Sequence, residues 1–202
     1  MRREVGSRRV AAGHADTVLL RRTYETAAED LWEALTSAER LGRWFLPVTG
    51  ELRPGGRYQL EGNAGGEILE CVAPERLRVS WILGPAPDPG FSEVTLRLVP
   101  AGPGRTVLEL EHAAVPPREF RARYGPGAVG VGWDLALLGL ARHLAGATLT
   151  TDEAAAWQTS AEARSFVVRV GEAWGAAYAA AGADEATVAA TTAATIASYH
   201  GD

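Results

Sequence analysis

The feature that most constrains this chain is a change of hydrophobic period that occurs in a fixed order. Residues 17–24, TVLLRRTY, read as a strand. The period then lengthens: Ala27, Leu31, Ala34 and Leu35 share one helical face beside Trp32. Thr26 occupies an N-cap position with Glu29 three residues on, the pattern of a capping box. A second helical turn over about Ser37 to Leu41 runs into Trp44-Phe45-Leu46-Pro47, where the proline stops it.

From Val48 to His112 the period is two. Pro54-Gly55-Gly56 is a turn, Arg57 to Glu61 a short strand, and Glu67 to Val72 another, closed by Pro74. Leu77, Val79 and Trp81 alternate with Arg78 and Ser80. Gly84 to Gly90, with three prolines, is a loop. Val94, Leu96 and Leu98 form the next apolar row, and Thr106, Leu108, Leu110 and His112 the last, joined by a turn over Pro100 to Gly104. Short turns imply antiparallel pairing. After Gly125-Pro126-Gly127, residues from about Ala128 to Ala145 return to a helical pattern. Trp133, Leu137, Leu140 and Leu144 make one apolar stripe, on a helix roughly 27 Å long at 1.5 Å per residue. Strand, two short helices, about six strands and a long closing helix is the order of an α+β helix-grip fold, a curved antiparallel sheet wrapped around its last helix.

Three segments follow from this reading: a flexible N-terminal tail over 1–16, a helix-grip domain over 17–146, and a helical C-terminal extension over 147–202. Within the extension Phe166, Val170, Trp174 and Tyr178 recur every four residues, predicting a helix over Ser160 to Ala181. Gly182 and Asp184 separate it from a last helix carrying Val188, Thr192, Ile196 and Tyr199. Such apolar faces need a cover, either the chain's own grip domain or a second copy in a homodimer.

Composition narrows the function classes. A formal net charge of −5 argues against a nucleic-acid surface. The lone cysteine, Cys71, excludes an intramolecular disulfide and a thiolate metal cluster. No run approaches the roughly 18 apolar residues of a membrane span, and residues 1–12 lack the apolar centre of a signal peptide. A soluble, cytoplasmic protein is expected, and its alanine- and arginine-rich, lysine-poor wording suits a bacterial genome of high GC content.

No HExxH, P-loop or GxSxG pattern is present, so neither a metal nor a cofactor is expected. The glycines around Gly125-Pro126-Gly127 follow no strand of a βαβ unit, which removes a dinucleotide reading. The candidate site is instead the space between sheet and long helix. Trp44, Phe45, Tyr58, Trp81 and Trp133 are its aromatic candidates, with Leu110 and Leu137 as aliphatic ones. Two polar candidates join them. His112 shares the face of Leu108 and Leu110 and reaches the cavity mouth, or else is hydrogen-bonded at a strand end. Glu70 is an inward carboxylate or a solvated strand residue, and the imperfect alternation of Glu67-Ile68-Leu69-Glu70-Cys71-Val72 leaves both open. Asp134, next to Trp133, orients the long helix or is simply exposed.

Several stretches, in order, resemble the family named for homology to the activator of heat-shock protein 90 ATPase, within the START-like, Bet v 1-like (SRPBCC) superfamily. They are Leu31-Trp32-Glu33-Ala34-Leu35-Thr36 with Leu41 and Trp44-Phe45, Pro54-Gly55-Gly56-Arg57-Tyr58, and Gly66-Glu67-Ile68-Leu69-Glu70. Pro74-Glu75-Arg76-Leu77 ending in Trp81, Thr106 to His112, and Gly132-Trp133 with Leu137 and Leu140 complete the set, covering about Thr17 to Leu144. The resemblance implies the fold and an apolar cavity. It does not carry the family's name over as function, because the eukaryotic activator engages the chaperone through a further amino-terminal domain that residues 1–16 are too short to form. The expected function is non-enzymatic binding of a small hydrophobic molecule, regulatory or stress-related. The alternatives are an enzyme like the polyketide cyclases and aromatases that share the superfamily, using His112, Glu70 and Tyr58, and an interaction or co-chaperone-like module acting through its surface or as a homodimer.

Overall fold

A computed structural model describes residues 1–84, 90–147 and 150–200. The loop read over Gly84 to Gly90 falls mostly outside them. Two strands come first, β1 (Arg2–Val10) and β2 (Gly13–Tyr24), followed by the helix pair α1 (Ala28–Thr36) and α2 (Ala38–Trp44). Six strands follow: β3 (Val48–Gly50), β4 (Arg57–Leu60), β5 (Gly65–Val72), β6 (Arg76–Ser80), β7 (Ser92–Pro100) and β8 (Thr106–Ala114). Helices α3 (Arg118–Tyr124), α4 (Gly127–Leu144), α5 (Thr151–Gln158), α6 (Ala161–Ala180) and α7 (Glu185–His200) close the chain. The eight strands form one antiparallel sheet in the order β1-β2-β8-β7-β6-β5-β4-β3. This is the α+β helix-grip architecture, with α4 across the concave face.

Register explains the core. Leu20 pairs with Leu110, and Leu110 with Leu96 on its other side. Because side chains alternate along a strand, these pairs put Val18, Leu20, Val94, Leu98, Leu108 and Leu110 on one face, all buried. The partner glutamates Glu109 and Glu111 take the other face, where they pair with Arg21 and Arg8. Helix α4 supplies Val131, Leu137 and Leu140 from above.

The N-terminal segment is not a flexible tail. Arg2 to Val10 pairs with β2 along its whole length, from Arg2↔Arg21 to Val10↔Gly13. The strand is written in charges because its partners are charges. Arg3 reaches Asp134 on α4, donating from Nε to Oδ2 at 2.9 Å and from Nη2 to Oδ1 at 2.7 Å. Trp174 Nε1 on α6 donates to the same Oδ2 at 2.8 Å. Asp134 is 1% exposed and Trp174 fully buried. A buried carboxylate needs such partners, since an isolated one in the interior is very costly. Asp134 thus orients the long helix, and it ties the first strand and the C-terminal extension to it.

The extension covers itself on its own chain. Helix α6 lies against β1 and α4, and α7 against α3 and α6. Val167, Val170 and Trp174 are the buried row of α6, with Phe166 and Tyr178 half-buried beside it. Glycines let these helices approach closely: a Cβ at Gly130 would sit 2.2 Å from the Trp174 ring, and one at Gly175 2.4 Å from Thr192 Oγ1. The aromatic face that could have served a second copy is therefore occupied in cis. Ser160 caps α6 by accepting from Ala163 N–H, and Asp184 caps α7 by accepting from Thr187 N–H.

The capping box expected at the first helix does not form. The cap residue is Ala27, and the Thr26 hydroxyl donates instead to Asp30 Oδ2 at 2.7 Å. A helix starting at Ala28 rather than Ala27 moves Glu29 out of the third position, where the box requires it.

Candidate functional site

Between the sheet and α4 lies a cavity of about 140 Å³. Its floor is the inner face of β5 to β8. Leu77 and Val79 point inward from β6 because Arg76 and Arg78 point outward. Val94, Leu96 and Leu110 continue the floor. The roof is α4, through Trp133, Ala136 and Leu137. The α1–α2 corner closes one end with Leu35, Thr36, Leu41, Trp44 and Phe45, and exposed Leu52 and Cys71 mark the opening.

Five aromatic rings form a connected wall. Trp44 stacks on Phe45 with centroids 5.4 Å apart, and Phe45 on Trp81 at 6.4 Å. Trp81 meets Trp133 at 4.9 Å and Tyr58 at 6.5 Å. Such offset and tilted pairs are the favoured aromatic geometries. Four of these rings carry an N–H or O–H; the protein engages three of them, and Trp81 Nε1 has no hydrogen-bond partner among the described residues. Trp44 Nε1 donates to the Ala34 carbonyl at 2.9 Å, Tyr58 OH to the Ser80 carbonyl at 2.8 Å, and Trp133 Nε1 to His112 Nδ1 at 3.1 Å. The hydroxyl of Thr36 donates to the Trp32 carbonyl. The space that remains is bounded almost wholly by carbon.

Seven of the nine candidate residues line it: Trp44, Phe45, Tyr58, Trp81, Leu110, Trp133 and Leu137. Glu70 and His112 do not. Glu70 stands on the outer face, paired with Arg76 and Arg78. A register shift between Ile68 and Glu70 is the cause. The bulge inserts one residue, so Ile68 and Cys71, three apart, both face the cavity, and Glu70 is turned outward opposite Arg78. Sequence reasoning missed Cys71 for the same reason. It also passed over Val79, Leu77 and Ala136, although the first two share the alternating face of Trp81.

His112 does lie on the inner face, between Val18 and Val94, but Trp133 stands between it and the cavity. Its two nitrogens are both used. An indole N–H only donates, so Nδ1 must accept from Trp133; Nε2 therefore carries the proton and donates to Ser92 Oγ at 2.9 Å. In this tautomer His112 cannot take a proton from Ser92, which removes a serine–histidine nucleophile. With Glu70 outside, His112 behind a ring and the Tyr58 hydroxyl held by a carbonyl, the three groups expected of a cyclase-like enzyme do not converge.

Burial pushes the His112 imidazole down to about 4 from its ordinary 6.5. The folded state thus resists a proton that the unfolded chain accepts. Above pH 6.5 both states are neutral and the contribution to stability is full. Between pH 6.5 and 4 it is lost as the unfolded chain protonates, by about 3 kcal/mol in all. The urea midpoint of the wild type is expected to fall between pH 7 and 4.5 by more than that of His112→Asn. Equal falls would mean that His112 does not drive the acid sensitivity.

Among the described residues, no group of three or more His, Cys, Asp or Glu side chains is placed to hold a metal ion, and no helix is long and apolar enough to cross a membrane.

The profile of the family described as Activator of Hsp90 ATPase homolog 1-like protein matches residues 25–145, the helix pair, the meander and the long helix. The chain belongs to this family. Among curated relatives, the mouse Activator of 90 kDa heat shock protein ATPase homolog 2 is 33% identical over 95 residues, 46% of this chain. The chain spans only 28% of that relative's length. Among solved structures, CalU16 from Micromonospora echinospora is 36% identical and superposes with a TM-score of 0.69, over 87% of this chain and 96% of its own. That match extends beyond the family's common region. An HSP90 activator from Plasmodium falciparum shares the fold at 22% identity and a TM-score of 0.57, covering 64% of this chain and 96% of its own. Family membership therefore fixes the architecture around the cavity, while the first strand and the helical extension lie largely outside residues 25–145.

Proposed function

We propose that this family member binds a small apolar molecule in the cavity under α4, without chemistry. The observation that carries this reading is the engagement of the polar handles: Trp44, Tyr58 and Trp133 each spend their one N–H or O–H on a protein acceptor. A ligand there meets mostly ring faces and aliphatic side chains, with the Trp81 N–H and the Cys71 thiol as the unengaged groups among the described lining residues. Cavities of about 150 Å³ lined by such groups stay dry and take molecules of benzene size. Part of a larger ligand would remain outside, past Leu52 and Cys71. The same engagement leaves the Cys71 thiol, at the opening, as the one nucleophile type among the described lining residues, with no acid or base from His112 or Glu70 beside it to activate it.

The test is titration with a fluorescent apolar probe such as N-phenyl-1-naphthylamine, followed by displacement with naphthalene. Saturable one-to-one binding is expected, with a Kd on the order of 10 µM for a ligand of about ten non-hydrogen atoms. No saturable signal up to the solubility limit of the probe would sink the proposal. Native mass spectrometry of the protein purified from its host then shows which molecule travels with it.

A further inference from the structure

The cavity has one wall whose chemistry is set from behind. Trp133 presents its ring to the cavity, and its N–H points away into the sheet, onto His112 Nδ1. The imidazole meets the indole edge-on, at 82° with centroids 5.9 Å apart, and Trp81 packs against both rings. Among the described residues the strand neighbours of His112 are the uncharged Val18 and Val94, and its outer nitrogen faces Ser92. The Ser92 oxygen, by accepting from Nε2, keeps the lone pair on Nδ1 and so keeps the indole N–H turned out of the cavity. Without Nδ1 as acceptor the N–H would be a buried donor left unsatisfied, and an acceptor brought by a ligand would then gain by pairing with it.

Resting on the reading of the cavity as a ligand site, we propose that His112 is a specificity-determining positioning residue. By holding the Trp133 N–H outside the wall, it makes the site select flat hydrocarbon groups against isosteres that carry a hydrogen-bond acceptor. His112 touches no ligand. It acts through Trp133, and Ser92 acts through His112.

Naphthalene and quinoline test this, because they share a shape and differ by one acceptor nitrogen. Their affinities are measured at neutral pH by probe displacement on the wild type, His112→Leu, His112→Asn and Ser92→Ala. The wild type is expected to prefer naphthalene. His112→Leu, which removes the acceptor, is expected to shift the naphthalene-to-quinoline ratio toward quinoline by about tenfold. His112→Asn places Oδ1 where Nδ1 stood and is expected to restore the wild-type ratio. Ser92→Ala keeps the imidazole but frees its tautomer, and is expected to shift the ratio the same way by less. The Trp133 Nε1–H resonance reports the bond directly. It is expected to move in the Leu variant and to stay near its wild-type position in the Asn variant, which loss of packing alone would not produce. An unchanged ratio in both His112→Leu and Ser92→Ala, or an Asn variant that behaves like Leu, overturns the inference. Naphthalene failing to bind the wild type is a different result, since it removes the ligand reading itself. If His112→Leu does not fold, Ser92→Ala and His112→Asn still decide between the outcomes.

Discussion

Replacing Asp134 by alanine is expected to cost about 3–5 kcal/mol of stability. The carboxylate accepts two bonds from Arg3 and one from Trp174, and all three donors would be stranded by its removal. Arg3 would become a half-buried cation with no counter-charge, and the indole N–H a buried donor with no acceptor. The loss should appear as a lower urea midpoint with an unchanged slope. A second variant separates the pair from the packing. Arg3→Met combined with Asp134→Leu removes both charges and is expected to recover much of the loss, since hydrophobic replacements of buried ion pairs are often neutral or better. A drop below about 1 kcal/mol for Asp134→Ala would show that this junction does not hold the extension in place.

Phenylalanine in place of Ala136 is expected to abolish ligand binding and leave the fold intact. Ala136 lies on α4 between Trp133 and Leu137 and faces the cavity. Its substitution adds an aromatic ring to a space of about 140 Å³ bounded by carbon. Filling such a void commonly stabilises by about 0.5–2 kcal/mol when the ring fits, and overpacking costs about 1–3 kcal/mol when it does not. The stability change is read by urea unfolding, separately from the expected loss of affinity, at least a hundredfold by probe titration, which is about 2.8 kcal/mol. Full retention of probe binding by a folded Ala136→Phe protein would place the probe elsewhere.

The sheet and the long helix were legible because they rest on period alone. Alternation gave Trp81 and Leu110 and the helical stripe gave Trp133 and Leu137, while Trp44, Phe45 and Tyr58 were named as aromatics beside them. The failures have specific physical causes. The strand Arg2 to Val10 carries no apolar alternation, because its inward residue Arg3 is satisfied by a carboxylate 131 positions away. No local signal encodes that partnership, and the segment therefore looks like a solvated tail. Glu70 was ambiguous because a bulge breaks the period at Leu69, and periodicity cannot show on which side of a bulge a face resumes. His112 was placed on the correct face but at the wrong depth. Alternation gives direction and not distance, and the ring of Trp133 occupies the space between His112 and the cavity. The docking of the extension was likewise open in the sequence. The glycines at 130, 171 and 175 allow the close helix contacts that decide it, and a glycine in a helix also reads as a weak spot.

The central claim is that an apolar molecule sits under α4, against the sheet. Isotope-edited nuclear Overhauser spectroscopy on methyl-labelled protein with bound naphthalene tests it most directly. Contacts from the ligand protons to the methyls of Ile68, Val79, Leu110 and Leu137 are expected together, because these four side chains converge on one space from three strands of the floor, β5, β6 and β8, and from the roof. Ligand contacts confined to surface methyls such as those of Val99 or Leu83, with none to these four, would contradict it.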